Sequence, residues 1–142
     1  MENLQNMEFM FSGCSSLTEL NVTQFNTKLV TKMTGLFQFC SSLKKLDLHS
    51  FSTDEVTDMQ FMFAGCAKLN NVNLTGIKTD KVTNMSNLFN NCATLSTIDL
   101  SSFNTENVTE MKHIFFRCNN CFVFYPHSFA ETFVNTEIMI YC

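Results

Sequence analysis

The chain has 142 residues, of which 45% are hydrophobic and 15% charged, and its formal net charge is −4. This composition excludes a disordered chain, and the small number of basic residues disfavours nucleic acid as a partner. No apolar run approaches the roughly 20 residues needed to cross a bilayer, so we expect no membrane insertion.

One unit of 26 residues recurs along the chain without insertions. Three columns of this repeat keep one residue type. They are Met7, Met33, Met59, Met85 and Met111; Phe11, Phe37, Phe63, Phe89 and Phe115; and Cys14, Cys40, Cys66, Cys92 and Cys118. Self-similarity at a fixed period of this size predicts stacked coils, each burying its apolar side against its neighbours.

The first half of each repeat has the apolar spacing of a short helix. In the third repeat, Met59, Met62, Phe63 and Cys66 follow the pattern i, i+3, i+4, i+7. Thr57 stands at the expected N-cap, where its hydroxyl would accept a backbone N–H of the first turn. The equivalent residues are Thr31, Thr83 and Thr109. We therefore predict a short helix with its apolar face inward.

The second half of each repeat predicts a short strand. Its pattern is L-x-x-L-x-L, as at Leu43, Leu46 and Leu48, with alternate side chains inward. Stacking would join these strands into a parallel sheet, and crossovers between parallel strands are nearly always right-handed. A further apolar column comprises Phe25, Phe51, Ile77, Phe103 and Phe129. We predict an α/β fold: a right-handed solenoid with a short parallel β-sheet on one face and short helices on the other.

The two ends of the chain differ. Residues 1–118 form the five-coil repeat, and residues 119–142 are predicted to be a degenerate fifth-coil strand and a partial sixth coil acting as a C-terminal cap. Cys121, Phe124 and Pro126 occupy the three leucine columns, and a proline suits an edge strand. The sixth coil continues the columns at Val134, Ile140 and Tyr141. No similar cap precedes the first coil, so we expect an upstream domain or self-association at its apolar edge.

The cysteines and histidines have simpler interpretations than catalysis. Equivalent Cβ atoms in a stack lie nearly 5 Å apart, whereas a disulfide needs about 3.8 Å, which favours a ladder of buried thiols. Cys118 and Cys121 have C-x-x-C spacing without a second pair, so packing is favoured over a metal or redox site. Pairing of Cys121 with Cys142 stays open. His49, His113 and His127 belong to no nucleophile or metal motif, so we expect no enzyme, metal or cofactor.

Two polar surfaces are candidates for binding. The threonine columns 27/53/79/105 and 31/57/83/109 could form an ice- or mineral-binding array, although turns and caps account for them better. The stronger candidate is the exposed face of the strands, which solenoids commonly use to bind partners; the alternative is a merely solvated face. Its residues are Glu19, Asn21, Thr23, Lys45, Asp47, His49, Asn71, Asn73, Thr75, Thr97, Asp99 and Ser101.

The pattern V-T-x-M-x-x-M-F-x-x-C-x-x-L-x-x-L-D-L-S-x-F-x-T resembles the 26-residue repeat of bacterial surface proteins, the BspA-like leucine-rich repeats. The fourth repeat matches it almost position for position, at Val82-Thr83-Asn84-Met85, Leu88-Phe89, Cys92, Leu95 and residues 98–105. The resemblance implies a leucine-rich-repeat-like solenoid at the cell surface or outside the cell, although the chain shows no signal peptide. It also implies adhesion-like binding of a protein or glycan. The alternative is a structural spacer or stalk.

Overall fold

The structure is a computed structural model that describes residues 3–119, 121–124, 126, 128 and 129. Its regular elements are four strands in the second halves of successive repeats, where strands are predicted. They are β1 (Lys45–Asp47), β2 (Asn71–Asn73), β3 (Thr97–Asp99) and β4 (Phe122–Phe124). The pairs β1–β2 and β3–β4 are both parallel. The sheet is therefore present in two short pieces.

Each repeat pairs with the next one along the chain. Lys45 of β1 is the partner of Asn71 in β2, one repeat length later. In the first half of the repeat, isolated parallel bridges link Asn6, Lys32, Asp58, Asn84 and Glu110 in succession. The repeats thus stack in sequence order, as predicted. Their right-handed solenoid form stays a prediction.

The first half of the repeat consists of turns, and the predicted helix is wrong: residues 57–66 contain no helical residue. Successive backbone N–H groups of these turns donate alternately to a carbonyl of their own coil and to a carbonyl of the next coil. The N–H of Met62 donates to the carbonyl of Met59 in the same coil at 3.2 Å, whereas that of Phe61 donates to Ser86 in the next coil at 3.0 Å. Phe61 also has a φ of 58°, outside the right-handed helical region. Bonds to the neighbouring coil have replaced those of a helix.

The inward face of these turns nevertheless agrees with the sequence pattern. Met59, Met62, Phe63 and Cys66 are each at most 2% exposed. Thr57 caps no helix, and its hydroxyl instead donates to the carbonyl of Thr31 in the preceding coil at 3.2 Å. The periodic pattern identified the buried residues correctly but not their backbone conformation.

Two columns of this turn region have left-handed backbone in every repeat. One comprises Phe9, Gly35, Phe61, Asn87 and His113, with φ between 54° and 60°. The other comprises Gly13, Phe39, Gly65, Asn91 and Arg117, with φ between 59° and 76°. Only glycine adopts this conformation without steric cost. Because such different residues share it, the stacking of the coils imposes the conformation.

A ladder of phenylalanine rings runs through the core. Phe37, Phe63, Phe89 and Phe115 are almost completely buried. Phe63 lies parallel to Phe37 at a centroid distance of 5.8 Å and to Phe89 at 5.0 Å. Stacked aromatic pairs at such distances stabilise by about 0.5–1.5 kcal/mol beyond the burial of their area. The ladder therefore fixes the register of the coils from inside.

The fifth-coil strand is shifted by one residue from the predicted register. Ile98 of β3 pairs with Val123, not with Phe124. Phe124 consequently points outward and is 60% exposed, so its predicted place in an inward leucine column is wrong. Phe129 is buried in the phenylalanine column as predicted. Val134, Ile140 and Tyr141 of the predicted cap lie outside the described residues.

The first coil is the least buried of the described coils. Phe9 is 51% exposed and Met10 37% exposed, and Cys14 is exposed as well. Residues 20–22 have an L-x-V pattern but form no strand. Met10 and Cys14 belong to columns that are buried in the later coils, so the core is partly exposed to solvent at the first coil. That an upstream domain or a second copy covers this edge stays a prediction.

Candidate functional site

The predicted binding face lies on the outside of the strands and on the residues that follow them. All twelve candidate residues are exposed except Asn73, which is half-buried. Lys45, Asp47, Asn71, Thr97 and Asp99 lie within β1, β2 and β3. Glu19, Asn21 and Thr23 occupy the matching positions of the first coil, outside any strand. Regular stacking therefore aligns three polar columns on one face.

The central column of this face closes a turn at the end of each strand. The Oδ1 atom of Asp47 accepts the backbone N–H of His49 at 3.1 Å, an Asx turn. Equivalent bonds join Asn21 to Thr23, Asn73 to Thr75 and Asp99 to Ser101. The recurrence of Asn or Asp two residues before a polar residue is the sequence signal for these turns. This role explains the column independently of any ligand.

Asp47 is the centre of a small polar network. Its Oδ1 also lies 2.9 Å from Nδ1 of His49 and accepts a hydrogen bond from Nδ2 of Asn73 at 2.8 Å. The N–H and imidazole of His49, together with the Asn73 amide, hold the pKa of Asp47 below its usual value. The hydroxyl and backbone N–H of Ser101 lower the pKa of Asp99 in the same way. Both carboxylates therefore lose their protons more readily than an ordinary aspartate.

A groove of about 700 Å³ opens on this face at the first, second and third coils. Its volume falls within the roughly 300–1,000 Å³ that is typical of ligand sites. The walls are polar and carry both signs of charge, while two leucines provide apolar surface. The lining residues are Glu19, Leu20, Asn21, Lys44, Lys45, Leu46, Asp47, Asn71 and Asn73. Six of these nine are residues of the predicted binding face.

The groove coincides with a break in the sheet. The only backbone bond between residues 18–22 and 44–48, all of them described, runs from the N–H of Lys44 to the carbonyl of Thr18 at 3.3 Å. A second break separates β2 from β3, where residues 72–76 and 99–102 line a cleft of about 220 Å³. That cleft is smaller than typical ligand sites. The larger groove is therefore the better candidate site.

The threonine column 27/53/79/105 is buried and cannot form a surface array. The hydroxyl of Thr53 donates to the carbonyl of Lys78 at 2.8 Å and accepts its N–H at 2.8 Å. Thr27 and Thr79 make the same pair of bonds to the next coil. Each hydroxyl ties two coils together. Only the column 31/57/83/109 is exposed, which removes half of the predicted ice- or mineral-binding array.

The cysteine column is a ladder of thiols packed between coils. Cys40, Cys66, Cys92 and Cys118 are fully buried, as predicted, whereas Cys14 is exposed. The Sγ of Cys66 lies 3.2 Å from the carbonyl oxygen of Phe37, to which it donates. Burial raises the pKa of Cys40 to about 11 and that of Cys66 to about 12. These thiols are therefore poor nucleophiles. Cys121 is buried as well, whereas Cys142, with which it could pair, lies outside the described residues.

A further cleft of about 170 Å³ lies on the turn side, beside Phe39, Phe61 and Arg117. It is too small for a typical ligand site. Within the described residues, no three His, Cys, Asp or Glu side chains cluster closely enough to hold a metal ion. In the same part of the chain, no helix has the length and apolar character needed to cross a membrane.

Stacked repeats that display a polar strand face define this chain as a repeat protein. Residues 5–123 match the family described as "Mycoplasma protein of unknown function, DUF285", and the chain belongs to this family. No curated protein and no solved structure matches the chain. The family description assigns no activity, so function must be argued from the site.

Proposed function

We propose that the chain is a non-catalytic interaction module that binds a protein or glycan partner through its exposed strand face. In this proposal the repeats form a right-handed, leucine-rich-repeat-like solenoid of a surface protein, at the cell surface or outside the cell. The observation that supports it best is the groove of about 700 Å³ on that face. The clefts of about 220 Å³ at residues 72–76 and 99–102 and of about 170 Å³ beside Phe39 are both smaller than a typical ligand site.

The face is preorganised for binding. Lys45 and Asp47 extend outward from β1, while Leu46 between them is only 2% exposed and anchors the strand in the core. The Asx turn at Asp47 and its bond to Asn73 hold two polar side chains of adjacent coils in place. A partner would therefore order few side chains of this surface, which lowers the entropic cost of binding.

The alternative is a structural spacer or stalk with no ligand of its own. Its support comes from polar groups that connect coils to one another. Lys78 pairs with Asp54 at 2.7 Å and Lys81 with Glu55 at 2.7 Å, each joining consecutive coils. The buried threonine column does the same. A spacer needs such cohesion but has no need for a groove.

The two functions are distinguished by binding to arrays of glycans and of extracellular proteins. Lys45→Glu reverses a charge inside the groove, whereas Lys112→Glu makes the same change at an exposed site in the turns of the fifth coil. We expect the unmodified protein to bind specific array members, Lys45→Glu to weaken that binding at least tenfold, and Lys112→Glu to leave it within twofold. Absence of specific binding, or equal loss in both variants, would favour the spacer.

A further inference from the structure

We propose that the groove binds an extended peptide segment of a protein partner, which adds as a strand to the free edge of β1. This inference rests on the proposed interaction function and narrows the partner from protein or glycan to an extended peptide. The peptide would lie between residues 19–21 and β1, where the sheet is interrupted. Four observations support this assignment.

The first is that β1 is hydrogen-bonded on one side only. Toward β2, the carbonyl of Lys44 accepts the N–H of Asn70 at 3.0 Å, and the N–H of Leu48 donates to Asn73 at 3.0 Å. Along a strand, backbone groups of alternate residues face opposite neighbours. The N–H and C=O groups of Lys45 and Asp47 therefore face residues 19–21.

The second observation is that this edge has no backbone partner among the described residues. If the first coil continued the ladder, the backbone groups of Leu20 and Val22 would form hydrogen bonds with those of Lys45 and Asp47, just as β1 does with β2 in the following coil. No such bonds are present between residues 19–22 and β1. An unpaired strand edge is a template for another strand, and added peptides gain affinity from these main-chain bonds.

The third observation concerns the apolar part of the groove. Leu20 and Leu46 line its apolar part, and Leu46 is anchored in the core. Side chains of an added strand alternate between the two faces of the sheet, so every second residue of the peptide would reach toward these leucines. The groove thus provides both an edge for main-chain pairing and apolar surface for alternate side chains.

The fourth observation is the charge on the walls, which favours a peptide over a glycan. Lys44 and Lys45 contribute positive charge, while Glu19 and Asp47 contribute negative charge. These groups suit a peptide whose outward residues carry both signs of charge. None of the nine described residues that line the groove is aromatic, so it offers no ring on which a sugar could stack.

The test is selection of binding peptides from a displayed random library of linear peptides, using the folded protein as bait. Two variants change the same column in adjacent coils. Asn71→Arg fills the groove, whereas Thr97→Arg places the same side chain at an exposed site on β3, outside the groove. Selected peptides should lose at least tenfold in affinity for Asn71→Arg and keep their affinity for Thr97→Arg within twofold.

Backbone methylation of the peptide tests the strand pairing directly. Each selected peptide is resynthesised with one N-methyl group at successive positions. Because a paired strand uses alternate N–H groups toward one neighbour, binding should fall at every second position and persist at the positions between. Loss without this period of two, or no loss at all, would overturn strand addition.

The outcomes separate this inference from the proposed function. If no peptide binds but glycans or folded proteins bind and lose affinity with Lys45→Glu, the peptide proposal fails and the interaction module stands. If neither peptides nor array members bind, both fail. Peptides that bind equally to Asn71→Arg and the unmodified protein would place the site elsewhere and overturn the inference.

Discussion

The ring of Phe39 lies against Gly65 of the next coil, so closely that a Cβ at position 65 would stand 2.5 Å from Cδ1 of the ring. Both residues belong to the same left-handed column, with φ values of 59° and 76°. Phe9 and Gly35 form an equivalent pair in the other left-handed column. In both pairs, a left-handed phenylalanine rests on a glycine of the following coil.

Gly65→Ala is expected to destabilise the protein more than Gly13→Ala. Both glycines have left-handed backbone in the same column, and a side chain there costs about 1–2 kcal/mol. At Gly13 nothing lies within 4 Å of an added Cβ, whereas at Gly65 the ring of Phe39 must move. We expect the loss at Gly65 to exceed that at Gly13 by about 1 kcal/mol in denaturant unfolding. In a Phe39→Ala background the difference should disappear; if it persists, the ring contact is not its cause.

Thr53→Val should lower the free energy of unfolding by about 1–3 kcal/mol, because it leaves the backbone N–H and carbonyl of Lys78 without their partner. Thr57→Val is the matched control, since Thr57 is exposed and its hydroxyl makes one bond of 3.2 Å. Its cost should stay within about 0.5 kcal/mol, as for most surface changes. Equal losses in urea melts would contradict the bridging role of the buried column.

Asp47→Asn should keep the turn at the end of β1, because Asn21 and Asn73 close the same turn with an amide oxygen. Asp47→Ala should lower the melting temperature. The pKa of Asp47 is lowered in the folded state, so its contribution to stability is present above the unfolded-state pKa of about 3.9 and is lost as pH falls through the folded-state value. Asp47→Asn should therefore show a weaker fall in melting temperature as pH falls below about 4. Unchanged acid sensitivity would show that this carboxylate contributes no such linkage.

Cys14 should react with iodoacetamide in the native protein, whereas Cys66 should react only after unfolding. Cys14 is exposed, while Cys66 is fully buried and its pKa is raised to about 12. At pH 8 the Cys66 thiol therefore stays almost entirely protonated, and the thiolate is the form that reacts. Mass spectrometry of tryptic peptides after brief alkylation measures both sites. Labelling of Cys66 at a rate like that of Cys14 would show that the second and third coils open readily.

The sequence predicted the inward residues well but not the backbone that carries them. Met59, Met62, Phe63 and Cys66 are buried as the helical period requires. That period does not distinguish a helix from a run of turns whose N–H groups alternate between their own coil and the next. The choice depends on acceptors 25 residues away, such as Ser86 for Phe61, which no local pattern reveals.

The predicted register of the strands is correct to the residue where the repeat is regular and wrong where the repeat is irregular. Lys45 pairs with Asn71 as the repeat demands, but β4 is displaced by one residue after the ladder cysteine Cys118. The sequence pattern did not predict the groove, for a related reason. Residues 17–22 carry the same apolar pattern as their equivalents in the second coil, yet they form no ladder with β1. A break of this kind arises from the packing of the coils and leaves no mark in the pattern.

The hydrogen bonds between coils join residues separated by similar numbers of positions, as in Thr53 to Lys78 and Thr57 to Thr31. The entropic cost of closing a loop depends on its length. Each added coil therefore closes a loop of nearly the same length and faces nearly the same barrier as the one before it. Folding can begin at any adjacent pair and spread like a zipper toward both ends, and a longer array of the same repeat would grow at the same cost per step.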